Sequence, residues 1–418
     1  MNKDVDIVIV GGGAAGIAAA RHLDNARCSF VLLEASSRLG GRAWTKMTAG
    51  HPLDLGCGWL HSADRNPWTK IAEDDGFVID RASPAWSTQF RNLGFAKDEQ
   101  AAAGRAMQDW HGRLQGLIER TDSAGDGLTP DGEWNNYIRA ICGFSNGVVP
   151  ETMSAADYLA YDAACTYKNW RIPKGYGSMI ISSLPSPTPL FLNTPVNRIS
   201  DNSNGLRIDT ERGSLSARAA ILTVSTNVLS GNSVALPSAI DPWRQAASLL
   251  PLGSNEKLFL KINDKSTFLA ETHLIGNPKD SETCDFYIRP FGWPVIECYL
   301  GGESAKIVGQ YDIAAGFELA TEQLVRLFGS DVRKKVTGII GSDWSRTELI
   351  GGAYSSAKPG HSKARQVLAQ SWDQRLFFAG EATHIHDYST AHGAYASGAR
   401  AAGEALSALK SRHLQLAL

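Results

Sequence analysis

Apolar positions at the start of the chain form two short, continuous runs separated by small residues. VDIVIV (5–10) is β-branched and of strand length, and SFVLLE (29–34) reads as a second buried strand. Between them, IAAARHLDNA is alanine-rich and good helix material. Further on, helical character is predicted over 66–76, 99–120 and 241–250, and 122–132 reads as a polar loop. The proline-punctuated SSLPSPTPL (182–190) predicts a crossing between domains. PVNRIS and GLRIDTERGSLSARAAILTVS follow as strands, the latter turning at Arg212-Gly213. KLFLKI, DFYIRP and PVIECYLGG predict strands of a second sheet. At the end, RLFFAGE is a short strand and AHGAYASGARAAGEALSAL a long helix of small residues. The first and last segments are expected to build one domain and the middle another, and 418 residues are more than one core usually holds.

The turn after the first strand is Gly11-Gly12-Gly13-Ala14-Ala15-Gly16, a G-x-G-x-x-G with an acid, Glu34, at the end of the second strand. Glycines there let the backbone approach a pyrophosphate, whose charge is favoured at a helix N-terminus. An acid at that spacing accepts hydrogen bonds from ribose hydroxyls, so the unit predicts dinucleotide binding. Arg38-Leu39-Gly40-Gly41-Arg42 follows as a second phosphate-approach loop.

Hydrophobic content of 43% and charged content of 20% describe a soluble globular protein. The net charge of −2, with no block of like charges, argues against a nucleic-acid or membrane-surface partner. Six scattered cysteines without a C-x-x-C pair suit a reducing compartment. Met1-Asn2-Lys3-Asp4 runs into an apolar segment too short for a signal peptide, and no run approaches a membrane span, so a cytoplasmic protein is expected. Glu381, His384, His386, Asp387 and His392 are all metal-binding types within twelve positions. Their spacing matches no common zinc pattern, so no metal is expected.

Four separated pieces, GGGAAG…Glu34 with RLGGR, DLGCGWLH (54–61), Lys257 in NEKLFL, and FFAGEATH…YSTAHGAYASG, together resemble the flavin-containing amine oxidases. The C-terminal block is most similar to the polyamine oxidase branch. The resemblance implies an α/β fold: a Rossmann-type FAD-binding domain (1–80 with 187–236 and 345–410) and a discontinuous α+β substrate-binding domain with a mixed sheet (81–186 with 237–344). It implies oxidation of an amine C–N bond by hydride loss to flavin N5, with oxygen reduced to hydrogen peroxide. Ala353 stands where some relatives carry a flavin-bonding cysteine, so the FAD is expected to be non-covalent.

Carried over residue by residue, the resemblance assigns FAD contacts to Gly11, Gly13, Ala15, Gly16, Glu34, Ala35, Gly41, Arg42, Gly58, Trp59, Val196, Gly380, Glu381, Thr390 and Ala391. Glu34 would bind the ribose, Arg42 the pyrophosphate region, Val196 the adenine, and Thr390 and Ala391 the pyrimidine end of the flavin. Lys257 would hold a water near N5, Tyr354 and Thr390 would flank the substrate nitrogen, and His61 would stand near the substrate entrance. An L-amino-acid oxidase is the alternative, with Arg81, Arg91 or Arg289 taking the carboxylate, and a non-catalytic FAD-binding protein is a third reading. The chain's end at Leu418, soon after the last helix, and its lack of room for long insertions make a membrane tail or chromatin role unexpected. The distal substrate contacts and the oligomeric state stay open.

Overall fold

The computed structural model describes residues 4–203 and 205–416; Met1, Asn2, Lys3 and Leu418, on which two of the expectations rest, lie outside them. In chain order the strands are β1 (Asp4–Val10), β2 (Phe30–Leu33), β3 (Thr45–Thr48), β4 (His51–Asp54) and β5 (Leu190–Phe191). There follow β6 (Val196–Asn202), β7 (Gly205–Thr210), β8 (Gly213–Leu222), β9 (Asn255–Ile262) and β10 (Thr272–Ile275). The last four are β11 (Asp285–Ile288), β12 (Val295–Gly301), β13 (Val336–Gly341) and β14 (Leu376–Phe378).

The first sheet runs β5-β2-β1-β8-β7-β6, with β14 also on β8. β5, β2, β1, β8 and β14 are parallel, and β6 and β7 are antiparallel additions. Continuous apolar runs suit this arrangement because both faces are covered: all four residues of β2 are buried. One face packs on helix Ala14–Asn25 and, beyond it, on the last helix, Ala391–Leu416. A Cβ on Gly398 would collide with the Ala15 carbonyl oxygen, so the small-residue run of the last helix serves close helix packing.

The second sheet, β10-β11-β12-β9-β13, is antiparallel at every strand pair. The mixture of strand directions expected there is found in the first sheet instead. Short connections join β10, β11 and β12 in sequence, which permits only antiparallel neighbours, because a parallel pair needs a long crossover. Along β9 to β12 the residues alternate between two faces. Leu258, Leu260, Phe286, Ile288, Ile296, Cys298 and Leu300 share a core with Ala320 and Leu324 of helix Ile313–Phe328. Successive side chains point to opposite faces, so Lys257, Asp285, Tyr287, Glu297, Tyr299 and His273 all lie on the other face.

Several expected boundaries shift. The helix expected over 99–120 spans Lys97–Leu114 and tightens to a 3₁₀ turn at Gln115–Leu117. The helix expected over 66–76 spans Pro67–Asp74, started by Asn66, whose side chain accepts from the Trp68 N–H. SSLPSPTPL leads into β5, at the edge of the first sheet. Among the described residues, no helix is long and apolar enough to cross a membrane.

Candidate active site

The loop after β1 is shaped by contacts that only hydrogen at Cα permits. Gly11 has φ +106°, and a Cβ on Gly16 would collide with the Gly11 carbonyl oxygen. The second glycine loop is tied to the first: the Gly40 N–H donates to the Gly12 oxygen at 2.8 Å, and Gly13 and Gly40 form a parallel bridge, with Gly41 beside Gly13. Glu34, 9% exposed, accepts from the Gly12 N–H at 2.7 Å and, through its other oxygen, from the Ser36 N–H at 2.8 Å. The Thr194 N–H donates to the Glu34 backbone oxygen, which brings the start of β6, with Val196, beside this acid. Ala15 is buried in the helix start and Ala35 is half-buried after Glu34. A backbone cradle open at a helix N-terminus, with a carboxylate behind it, fits the pyrophosphate and ribose of FAD.

The other wall comes from residues more than 300 positions away. Arg42 donates to the Ala353 oxygen at 2.5 Å and to Glu381 Oε1 at 2.9 Å. Glu381 also accepts from the Ser355 hydroxyl and from the Ser355 and Ser389 N–H groups. Burial works against its charge, yet Arg42 and Arg365 hold the carboxyl below its ordinary range. Arg365, 1% exposed, makes two 2.7 Å bonds to Asp157 and lies 3.7 Å over the Tyr388 ring. Gly380 donates to Ser397 Oγ of the last helix. A small cavity of ≈ 20 Å³ lies beside Arg42, Thr226, Gly380 and Glu381, at the carboxyl ends of β8 and β14. That end of an open α/β sheet is where ligands bind.

Lys257 stands where this cofactor wall meets the polar face of the second sheet. A Cβ on Gly58 would come within 3.0 Å of its Nζ. Lys257 is 8% exposed and pairs with Glu297 at 2.8 Å. Burial pulls its pKa down, but Glu297 first, with smaller help from Asp54 and Cys57, offsets this and holds it above the ordinary value. Tyr299, opposite Lys257 in the register, shares a 2.7 Å hydrogen bond with Tyr354, whose hydroxyl donates to the Phe144 oxygen at 2.5 Å. Tyr354 is thereby fixed in place. Farther along the face, His273 pairs with Asp285 at 2.7 Å. Trp59 packs against Trp86 (4.5 Å between centroids), Tyr287 (5.8 Å) and the Arg171 guanidinium (5.0 Å). Arg171 in turn joins Asp80 and Glu271. Glu297, Tyr299, Asp285, Tyr287, His273 and Arg171 were not among the expected site residues; strand alternation was a signal for the first five, while Arg171 comes from a loop and carried none.

Other expected residues are differently engaged. His61 bonds Asn169 Oδ1 at 2.7 Å and stacks loosely near Trp86; burial pushes its pKa down to about 4, against the Asn169 bond. The Thr390 hydroxyl donates to the Asp387 oxygen and accepts from the Gly393 N–H, so it is committed to starting the last helix. Ala391, next to it, accepts from Trp68 Nε1. Within the histidine-rich stretch, Glu381 turns to Arg42, and Asp387 to Arg65 and His392. His384 Nδ1 accepts from the Asp387 N–H at 2.8 Å. Among the described residues, no group of three or more His, Cys, Asp or Glu is arranged to hold a metal. The arginines considered for a substrate carboxylate are taken elsewhere: Arg81 by Glu73, Arg289 by the Phe268 and Gly292 carbonyls, and Arg91 lies over Phe90.

The family model for flavin containing amine oxidoreductase matches residues 14–93 and 114–406. Polyamine oxidase 2 of Arabidopsis thaliana is 25% identical over 449 residues, covering 100% of this chain and 91% of its own. Pseudooxynicotine dehydrogenase of a Pseudomonas species is 25% identical over 439 residues, covering 91% and 82%. Among solved structures, wild-type putrescine oxidase bound to putrescine superposes with a TM-score of 0.75 at 17% identity, over 97% of this chain and 100% of that one. The chain therefore belongs to the flavin-containing amine oxidoreductase family, as an amine oxidase whose cofactor is FAD.

Proposed function

We propose that the chain oxidises a C–N bond of a polyamine or related amine, with oxygen reduced to hydrogen peroxide. One observation carries this reading: beside the cofactor wall, the polar face of the second sheet and the loops against it gather more carboxylates than the fixed cations paired with them. Glu297 and Asp285 of the strands, with Glu271 and Asp80 of the adjoining loops, all partly exposed, are paired with Lys257, His273 and Arg171. Such a surface favours a cationic ligand and disfavours a free carboxylate, which supports an amine over an amino acid. Relatives described as polyamine oxidases support the same class.

FAD, when bound, supplies the acceptor for a hydride from the carbon next to the nitrogen. The chain's residues do the rest. Gly11, Gly13, Gly16, Ala15 and the Gly41 loop would cradle the phosphates, Glu34 with Ala35 the ribose, and Val196 the adenine side. Arg42, Gly380 and Glu381 would hold the middle of the cofactor, and Gly58, Trp59, Thr390 and Ala391 its ring end. Ala353, with no thiol, leaves the attachment non-covalent. Tyr354, anchored through Phe144 and Tyr299, would form one wall for the substrate nitrogen, with Thr390 as a small second wall and His61 toward the entrance. Lys257 would order a water by the ring.

We divide the chain as expected, into 1–80, 187–236 and 345–410 for the cofactor and 81–186 with 237–344 for the substrate. The strands of the two sheets fall on opposite sides of that division. Six free cysteines suit a reducing compartment, and we read the protein as cytoplasmic. The test is oxygen uptake with product identification on spermidine, putrescine, tyramine and free amino acids. Turnover of the first two with peroxide formed is expected; activity only on amino acids would sink the reading.

A further inference from the structure

We propose that Glu297 is the positioning residue for Lys257, fixing Nζ in place as an ion-paired ammonium beside the ring end of the cofactor. The inference rests on the reading of Lys257 as a site residue and goes beyond it, to what sets the charge and position of that lysine.

Three observations converge. In the register of β9 and β12, Lys257 lies opposite Tyr299 and Glu297 opposite Phe259. Lys257 and Glu297 are thus diagonal neighbours on one face, within reach of a long side chain. Their charged atoms are 2.8 Å apart, with side chains 10% and 19% exposed. Finally, Nζ lies against Gly58, where any larger residue would displace it.

The other groups around Nζ do not replace Glu297. Asp54 comes from β4, but its oxygens accept from Thr45 and from the Tyr176 and Gly177 N–H groups. Cys57 and His61 lie on the cofactor side; burial raises the thiol's pKa and lowers the imidazole's, so both are neutral near pH 7. Tyr299 is bonded to Tyr354, and Asp285, one strand farther, to His273. A buried ammonium without a partner loses its proton more readily, because burial penalises the charged form. Glu297, the one carboxylate in direct contact with Nζ, is therefore the main group that keeps Lys257 charged, with Asp54 adding a weaker pull from farther off, and its carboxylate cancels much of the field that a lone ammonium would exert on the cofactor.

The test reads protonation directly. Purified chain, with and without FAD, is acylated with an amine-reactive reagent over a series of pH values, and Lys257 and the exposed Lys334 are followed by peptide mass spectrometry. In the wild type, Lys257 should have a midpoint at or above that of Lys334. Glu297→Gln should lower the Lys257 midpoint by at least about one unit, roughly tenfold in reactivity at fixed pH, and Glu297→Asp should recover most of it. In the loaded protein, Glu297→Gln should also make flavin reoxidation pH-dependent in the window where Lys257 now titrates. An unchanged Lys257 midpoint in Glu297→Gln overturns the proposal. Should that variant fail to fold, a wild-type midpoint below that of Lys334 overturns it equally. Labelling needs no turnover, so a shifted midpoint in a protein that oxidises no amine would leave this inference standing and remove the functional one.

Discussion

The two sheets carry chemistry in opposite ways. In the first, the central parallel strands β1 and β2 are mostly apolar, and the proposed cofactor contacts sit where they end: in glycine turns, N–H groups and the helix that starts after β1. In the second, the proposed substrate-side residues lie along the strands, on the face turned away from helix Ile313–Phe328. A cofactor with two phosphates is suited by a backbone cradle, and a variable cationic substrate by side chains. The first solution is encoded in a few adjacent letters, the second in the parity of positions spread over nearly 100 residues.

The comparison can be broken by four variants or conditions, taken from the largest effect down. Arg365→Leu should cost about 3–5 kcal/mol in urea denaturation, since it leaves Asp157 buried without its partner; a loss under about 1 kcal/mol would show that the cofactor side does not depend on this pair. Lys257→Met should slow turnover about 10²-fold while the purified protein keeps its yellow flavin absorbance. Gly16→Ala should do the reverse, losing flavin on gel filtration and about 1–3 kcal/mol of stability from overpacking. If both variants lost flavin alike, the separation of roles between the sheets would fail. The smallest effect is a drift with pH. His61 in the folded chain has its pKa depressed from 6.5 to about 4 by burial, so over that interval the unfolded chain takes up a proton that the folded one refuses. Its contribution is fully present above pH 6.5 and declines as pH falls toward 4; His61→Gln should flatten the melting temperature in that window. Glu381, whose pKa is held down, acts only lower, as pH falls through the carboxylate range.

What could be read from the sequence follows the same divide. Gly11, Gly13, Gly16 and Glu34 were legible because their relation is local and their spacing is set by one strand–turn–helix unit. Arg42 and Glu381 were each recognisable, but not their pairing, which depends on two distant segments meeting at the end of the first sheet. Lys257 was singled out by resemblance, whereas Glu297 and Tyr299 were not, because the strand order β11-β12-β9 sets β12 beside a strand more than thirty residues earlier. Helix Ile313–Phe328 was not among the expected elements; a glycine at 316, packed on Val308 and Leu258, interrupts its helix-forming composition. The histidines near the C-terminus looked like ligands because composition alone carries no direction. In the fold, Glu381 and Asp387 turn to different arginines.

Strand β8 has one more consequence. Its first half pairs with β7 and its last three residues with β14, while β1 runs along its other side. As the chain leaves the ribosome, β1, β2 and β8 can assemble long before Leu376–Phe378 exists. Until then Ala220, Ile221 and Leu222 present an unpaired apolar edge, the kind of edge that sticks to other chains. The second sheet, contained within 255–341, can be complete by that stage. Synthesis thus leaves the first sheet unfinished to the end, and its closure coincides with the arrival of the last helix against the first. A truncation before residue 376 should therefore give an aggregating product, not a smaller soluble enzyme.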